Sequence, residues 1–67
     1  MYQYRRLNRS IRLETAEIAI DVWPSEEAWG RVWKYTVFDY RTRTYIDNGN
    51  ASSEDEACMI AEKVAGL

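Results

Sequence analysis

The run AEIAIDVW at positions 16–23 alternates without a break. Ala16, Ile18, Ile20 and Val22 fall on one side, and Glu17, Ala19, Asp21 and Trp23 on the other. Period two with β-branched residues is the pattern of a half-buried strand. A helix through residues 11–22 would align Ile11, Ile18 and Val22 but turn Ile20 toward its polar side. A strand with one apolar face needs neighbours and a cover, which constrains the rest of the chain.

Neighbours are available downstream. RVWKYTVFDY (31–40) is rich in aromatic and β-branched residues, and residues 44–47, TYID, follow a turn near Tyr40–Arg43 as its hairpin partner. Asn48-Gly49 favours positive backbone dihedrals, so this last strand is expected to end or bulge there. Between the first two strands, Pro24 has no N–H to donate and should stop the pairing. PSEEAWG then reads as a loop holding one helical turn, with Ser25 as its cap and Gly30 as its exit.

The cover comes from residues 53–65. Ala57, Ile60, Ala61 and Val64 recur at helical spacing, and Gly66 stands where a helix exit belongs. Ser53 followed by Glu56 is a capping-box pattern, with Ser52 and Asp55 as an alternative one residue earlier. Glu54, Asp55 and Glu56 occupy the first turn, where unpaired N–H groups and the helix dipole favour negative charge. The same acids remove the anion-binding potential of a bare helix start. The expected fold is therefore α+β, order β-β-β-α. Three antiparallel strands, or four if residues 1–12 add one through Tyr2 and Tyr4, carry the helix on one face. Ile60 and Val64 are expected to pack on Ile18, Ile20 and Trp33.

With 67 residues there is room for a single domain, 1–67, and no second core. A chain of this size buries only about 60% of its unfolded surface. One cysteine and no histidine leave neither an internal disulfide nor a Cys/His zinc site. Three Trp, five Tyr and one Phe must supply most of the core.

Histidine-dependent nucleophilic catalysis is unavailable, and three scattered glycines make no phosphate loop. Cys58, within the apolar helix pattern, reads as a small buried or half-buried side chain. Asp21, Asp39 and Asp47 have no ligand-loop spacing and read as strand-end and turn residues. The expectation is a non-enzyme with no cofactor and no metal. Nothing resembles a signal peptide or an 18-residue apolar span, which points to a cytoplasmic protein without membrane contact.

Charge is unevenly placed. Residues 1–12 hold Arg5, Arg6, Arg9 and Arg12 without an acid, whereas residues 13–67 carry net −6. The first segment reads as a basic strand or a flexible arm, and as a nucleic-acid contact in the alternative functional reading. If Ile18, Ile20 and Val22 face the helix with Trp33, Tyr35 and Val37, the other face presents Lys34, Thr36 and Phe38 with Arg43 and Tyr45. Lys34, Phe38, Arg43 and Tyr45 are the candidate partner-binding residues, since mixed aromatic and basic groups suit a protein hot spot or a base-stacking surface. Exposed strand edges leave a homodimer through edge pairing open.

From Lys34 to Leu67 the sequence KYTVFDYRTRTYIDNGNASSEDEACMIAEKVAGL resembles the C-terminal half of a double-stranded-RNA-binding domain. Glu54, Asp55 and Glu56 stand where that family carries lysines, and no N-terminal helix precedes the strands. The resemblance therefore assigns no binding residue. YTVFDYRTRTYI before a capped helix also resembles the arm-DNA-binding domain of tyrosine integrases. The hairpin, the DEA-type helix start and the acidic body are similar to small phage proteins that inhibit a host enzyme. That last resemblance implies an accessory protein binding a host protein, of anti-CRISPR or transcription-inhibitor type.

Overall fold

The computed structural model describes residues 3–67, so the proposed strand position of Tyr2 lies outside the described residues. Five strands precede one helix: β1 (Arg5–Arg6), β2 (Ile11–Glu14), β3 (Ile18–Glu27), β4 (Gly30–Asp39), β5 (Thr44–Ala51) and α1 (Glu54–Ala65). Each strand pairs antiparallel with the next, in the order β1-β2-β3-β4-β5. The fold is α+β, with five strands where three or four were expected. The added strands come from the basic N-terminal segment, which folds back on itself. Leu7 N–H donates to Ser10 O at 2.8 Å, and Arg5 and Arg6 pair with Arg12 and Ile11.

The 16–23 strand begins later than its alternation suggests, at Ile18. Thr15 turns the chain: its Oγ1 accepts from the N–H groups of Glu17 and Ile18, both at 3.1 Å. Ala16 thus sits exposed in a turn and not on the inner face. From Ile18 onward the alternation holds. Leu13, Ile20 and Val37 form one row across three strands, and Ile11, Val22 and Tyr35 the next. These six side chains are buried, and Ile20, Val22 and Val37 have no exposed surface.

Pro24 does not stop β3. It stands opposite Trp33, and pairing runs on to Glu27 and Gly30. The reason lies in which way each residue points its backbone. In an antiparallel strand a residue's N–H and C=O point to the same side, alternating along the chain. Ile18 O accepts from Thr15 on the β2 side, and Glu17 O from Tyr40 on the β4 side. Val22 and Pro24 therefore point toward β2. But β2 reaches only as far as Val22, opposite Ile11, so Pro24 meets an open edge where no donor is required. PSEEAWG is consequently a hairpin arm and not a helical turn. Glu26 accepts from Arg31 across it at 2.7 Å, and Gly30, at φ 125°, closes the turn.

Asn48-Gly49 is likewise neither an end nor a bulge. The register shift falls opposite Val37 and Phe38, which pair with Asp47 and Tyr45 and leave Ile46 as the extra residue. Gly49 lies opposite Tyr35, and an added Cβ would stand 2.8 Å from Tyr35 Oη and 3.0 Å from its ring. The glycine makes room for that ring, whose hydroxyl donates to Asp47 Oδ2 at 3.1 Å. Burial and this bond both raise the Tyr35 pKa.

The helix starts and stops as its sequence implies. Ser53 Oγ accepts from Glu56 N–H at 3.1 Å, while the Glu56 carboxylate takes the N–H and Oγ–H of Ser52, at 2.8 and 3.0 Å. The box is thus shared between two serines, and the bonds from Ser52 lower the Glu56 pKa. At the exit Gly66 adopts φ 78°, with Gly66 N–H on Lys63 O and Leu67 N–H on Glu62 O. Ser53→Ala removes one side of this cap and should lower stability by about 0.5–2 kcal/mol in urea unfolding. Ser52→Ala, which leaves Glu56 its backbone N–H donor, should cost less.

Of the expected helix face, Ala57, Ile60 and Ala61 turn toward the core and Val64 does not. Ala57 and Ala61 have no exposed surface, Cys58, Ile60 and Ala65 are partly buried against the core, and Val64 is 41% exposed. The seam is a small-residue stripe, which lets helix and sheet approach closely. Tyr4 packs beside that stripe, and its Oη donates to Glu62 Oε2 at 2.6 Å. This bond ties the N-terminal segment to the helix across 58 positions of the chain.

Candidate functional site

The helix covers one face of the sheet and leaves the other open. Register assigns the open face in three rows. Arg5, Arg12, Asp21, Thr36 and Asn48 lie across all five strands. On one side of that row run Trp23, Lys34 and Asn50; on the other run Glu14, Ala19, Phe38 and Tyr45.

The last row is aromatic. Phe38 is the hub, with ring centroids 4.9 Å from Tyr45 and 5.4 Å from Tyr40, both edge-to-face at 71° and 74°. Such pairs add about 0.5–1.5 kcal/mol each beyond the area they bury. The Tyr40 hydroxyl donates to the Glu14 carboxylate, which raises the Tyr40 pKa. Ala19, on this open face yet only 1% exposed, lies between Glu14 and Phe38. Tyr45 remains 65% exposed. The cluster is therefore ordered by its own contacts, while its outermost ring stays free.

The charged row is largely self-satisfied. Arg12 grips Asp21 through Nε and a terminal nitrogen at 2.9 and 3.2 Å, which raises the guanidinium's pKa. Lys34 lies 3.4 Å from Asn50 Oδ1 and 3.9 Å from Glu27, beside a shallow groove that Trp23, Thr36 and Asn48 also line.

Of the four partner-binding candidates, Lys34, Phe38 and Tyr45 share the open face as expected. Arg43 does not. It occupies the β4–β5 turn at φ 60°, where Asp39 organises the backbone by accepting from Arg41 N–H at 2.8 Å. That bond, with the Arg41 side chain, holds the Asp39 carboxyl below its usual pKa. The four arginines of the N-terminal segment divide between surfaces. Arg6 reaches Glu54 on the helix side at 3.2 Å, and Arg12 is held by Asp21. Arg5 lies on the open face, and Arg9 is exposed near the β1–β2 turn.

Two aromatic positions escaped the sequence reading as surface groups. Tyr40 closes over Phe38 although it belongs to the turn. Trp29 is 74% exposed at the tip of the β3–β4 hairpin. Its setting between Ala28 and Gly30, with no alternating neighbour, was the available signal.

A second concavity, of about 350 Å³, lies between α1 and the N-terminal hairpin and is lined by Tyr4, Arg6, Ile11, Glu54, Cys58 and Glu62. Burial raises the Cys58 pKa, which keeps the thiol protonated and poorly nucleophilic. Asp21, Asp39 and Asp47 are engaged with Arg12, Arg41 and Tyr35. Among the described residues, no three His, Cys, Asp or Glu side chains are grouped as metal ligands, and no helix is long and apolar enough to cross a membrane. Comparison with protein-family models, curated proteins and solved structures returns no match to this chain.

Proposed function

We propose that this chain is a small non-enzymatic protein-binding module whose contact surface is the open sheet face, centred on Phe38 and Tyr45 and flanked by Lys34. The observation that carries this reading is the exposed Tyr45 ring held edge-on by Phe38 outside the core. An aromatic side chain already ordered before binding loses little entropy on contact, and Tyr, Trp and Arg are the usual hot-spot residues. Trp23 and Asn50 extend the surface along the neighbouring row. A host enzyme as the partner, and cytoplasmic action, rest on the resemblance to small phage inhibitors and on the sequence reading.

The alternative, a nucleic-acid-binding domain, would use the same aromatics with the N-terminal arginines. The ion pairs of Arg6 with Glu54 and Arg12 with Asp21 weigh against it, since they neutralise two of the four charges that reading needs. Binding through six or so phosphate contacts would show a log–log salt slope near −5.

Affinity capture from host lysate should yield a protein that wild type retains and that Tyr45→Ala and Phe38→Ala lose at least tenfold. Tyr45→Ala should leave the melting curve nearly unchanged because its ring is mostly exposed. Duplex DNA and RNA should bind no tighter than about 10 μM at physiological salt, within the non-specific range. Submicromolar duplex binding that weakens in Arg5→Ala and Arg9→Ala would replace this reading with the alternative.

A further inference from the structure

We infer that β5 is a self-association edge, through which two copies of this chain pair antiparallel into one continuous sheet. The two sides of the sheet differ in how their edges are treated. On the β1 side the terminal strand is two residues long, and the stretch of β3 extending past β2 points Pro24 outward, which offers no donor. On the other side, among the described residues, no strand lies beyond the eight-residue β5. That strand has no proline and no lysine, and its single charge, Asp47, faces the helix side and accepts from Tyr35. Short length, proline and charge are the usual protections of an edge. β5 is not short and carries neither a proline nor an outward charge, and its bulge at Ile46 and inward Asp47 leave Asp47–Ala51 regular.

The alternation that explains Pro24 also identifies the free groups. Ala19, Asp21 and Trp23 point toward β4, so Phe38, Thr36 and Lys34 opposite them point back toward β3. Trp33, Tyr35 and Val37 then bond to Ala51, Gly49 and Asp47. Asn48 and Asn50 are left with N–H and C=O directed away from the sheet.

A two-fold axis at Gly49 makes this segment complementary to itself. Asn48 then pairs with the partner's Asn50, and Asn50 with the partner's Asn48, which satisfies all four donors and acceptors of each pair. The glycines meet at the axis in the close, non-hydrogen-bonded position, where neither carries a Cβ. Asp47 falls opposite the partner's Ala51, so no like charges are opposed. A two-fold contact uses each edge once, and assembly stops at two chains.

Sedimentation equilibrium in reductant, from roughly 1 μM to 1 mM, covers the range of a modest association. The mass should rise from that of one chain to that of two and no further. Asn50→Pro removes the outward N–H, together with an exposed side-chain contact to Lys34, and should remain a monomer throughout with an unchanged circular dichroism spectrum. Asn48→Lys, which places a charge on the edge, should shift the half-association concentration upward at least tenfold and decides the matter if the proline variant does not fold. A wild-type monomer at every concentration, growth beyond two chains, or undiminished dimerisation of Asn48→Lys would overturn the inference.

Discussion

Ile20→Ala is expected to remove about 3–4 kcal/mol of stability, close to everything a core of this size supplies. Ile20 has no exposed surface and sits between Leu13 and Val37 in a row beneath the alanine seam of α1. Truncation loses the transfer energy of three carbons and leaves a cavity. Its neighbours cannot collapse into that cavity, because strands on both sides fix their backbones. Urea unfolding of the variant should show a midpoint near zero denaturant or no cooperative transition. Ile60→Ala, on the half-buried flank of the helix, should cost clearly less, and Val64→Ala little. Melting of Ile20→Ala within about 5 °C of wild type, equivalent to roughly 1 kcal/mol for a domain this small, would mean that the core is centred elsewhere.

Gly49→Val should destabilise by about 1–3 kcal/mol, although valine has the higher strand propensity. Its first added carbon would stand 2.8 Å from Tyr35 Oη. Tyr35 is 6% exposed, so its ring can yield only by disturbing the core and giving up its bond to Asp47. Tyr35→Leu in the same chain removes the obstructing ring. The double variant should therefore be less destabilised than the sum of the two single variants. Strict additivity of the two changes, or a stabilised Gly49→Val, would show that the ring does not lie over this glycine.

These two sites differ in how far the sequence exposes them. Ile20 was legible: alternation over 18–22 places it on the inner face whatever its neighbours are. Gly49 was not. Beside Asn48 it has the local signature of a turn, and only pairing with β4 reveals that it accommodates a ring from fourteen positions earlier in the chain. The candidate surface divides in the same way. Lys34, Phe38 and Tyr45 share a face because alternation on β4 and a hairpin to β5 suffice to put them there. Arg43 misses it because it is the last residue of the Tyr40–Arg43 turn, which was itself legible and which Asp39 holds, and not part of β5.

Features whose causes lie within a few residues can be read from the chain directly: the inner and outer faces of β3 and β4, the Ser53 cap, the acids in the first helical turn and the Gly66 exit. Side-chain period, capping bonds and the αL preference of glycine act at short range, so they are written in adjacent positions. Other features depend on which element lies alongside. Pro24 is tolerated because β2 ends before it. The basic segment becomes two strands because β3 offers an edge to pair with. Tyr4 reaches Glu62 of helix α1 because the folded-back N-terminal segment brings it to the helix side of the sheet. Each depends on which element ends or runs beside the residue, which its own neighbours in the sequence do not state.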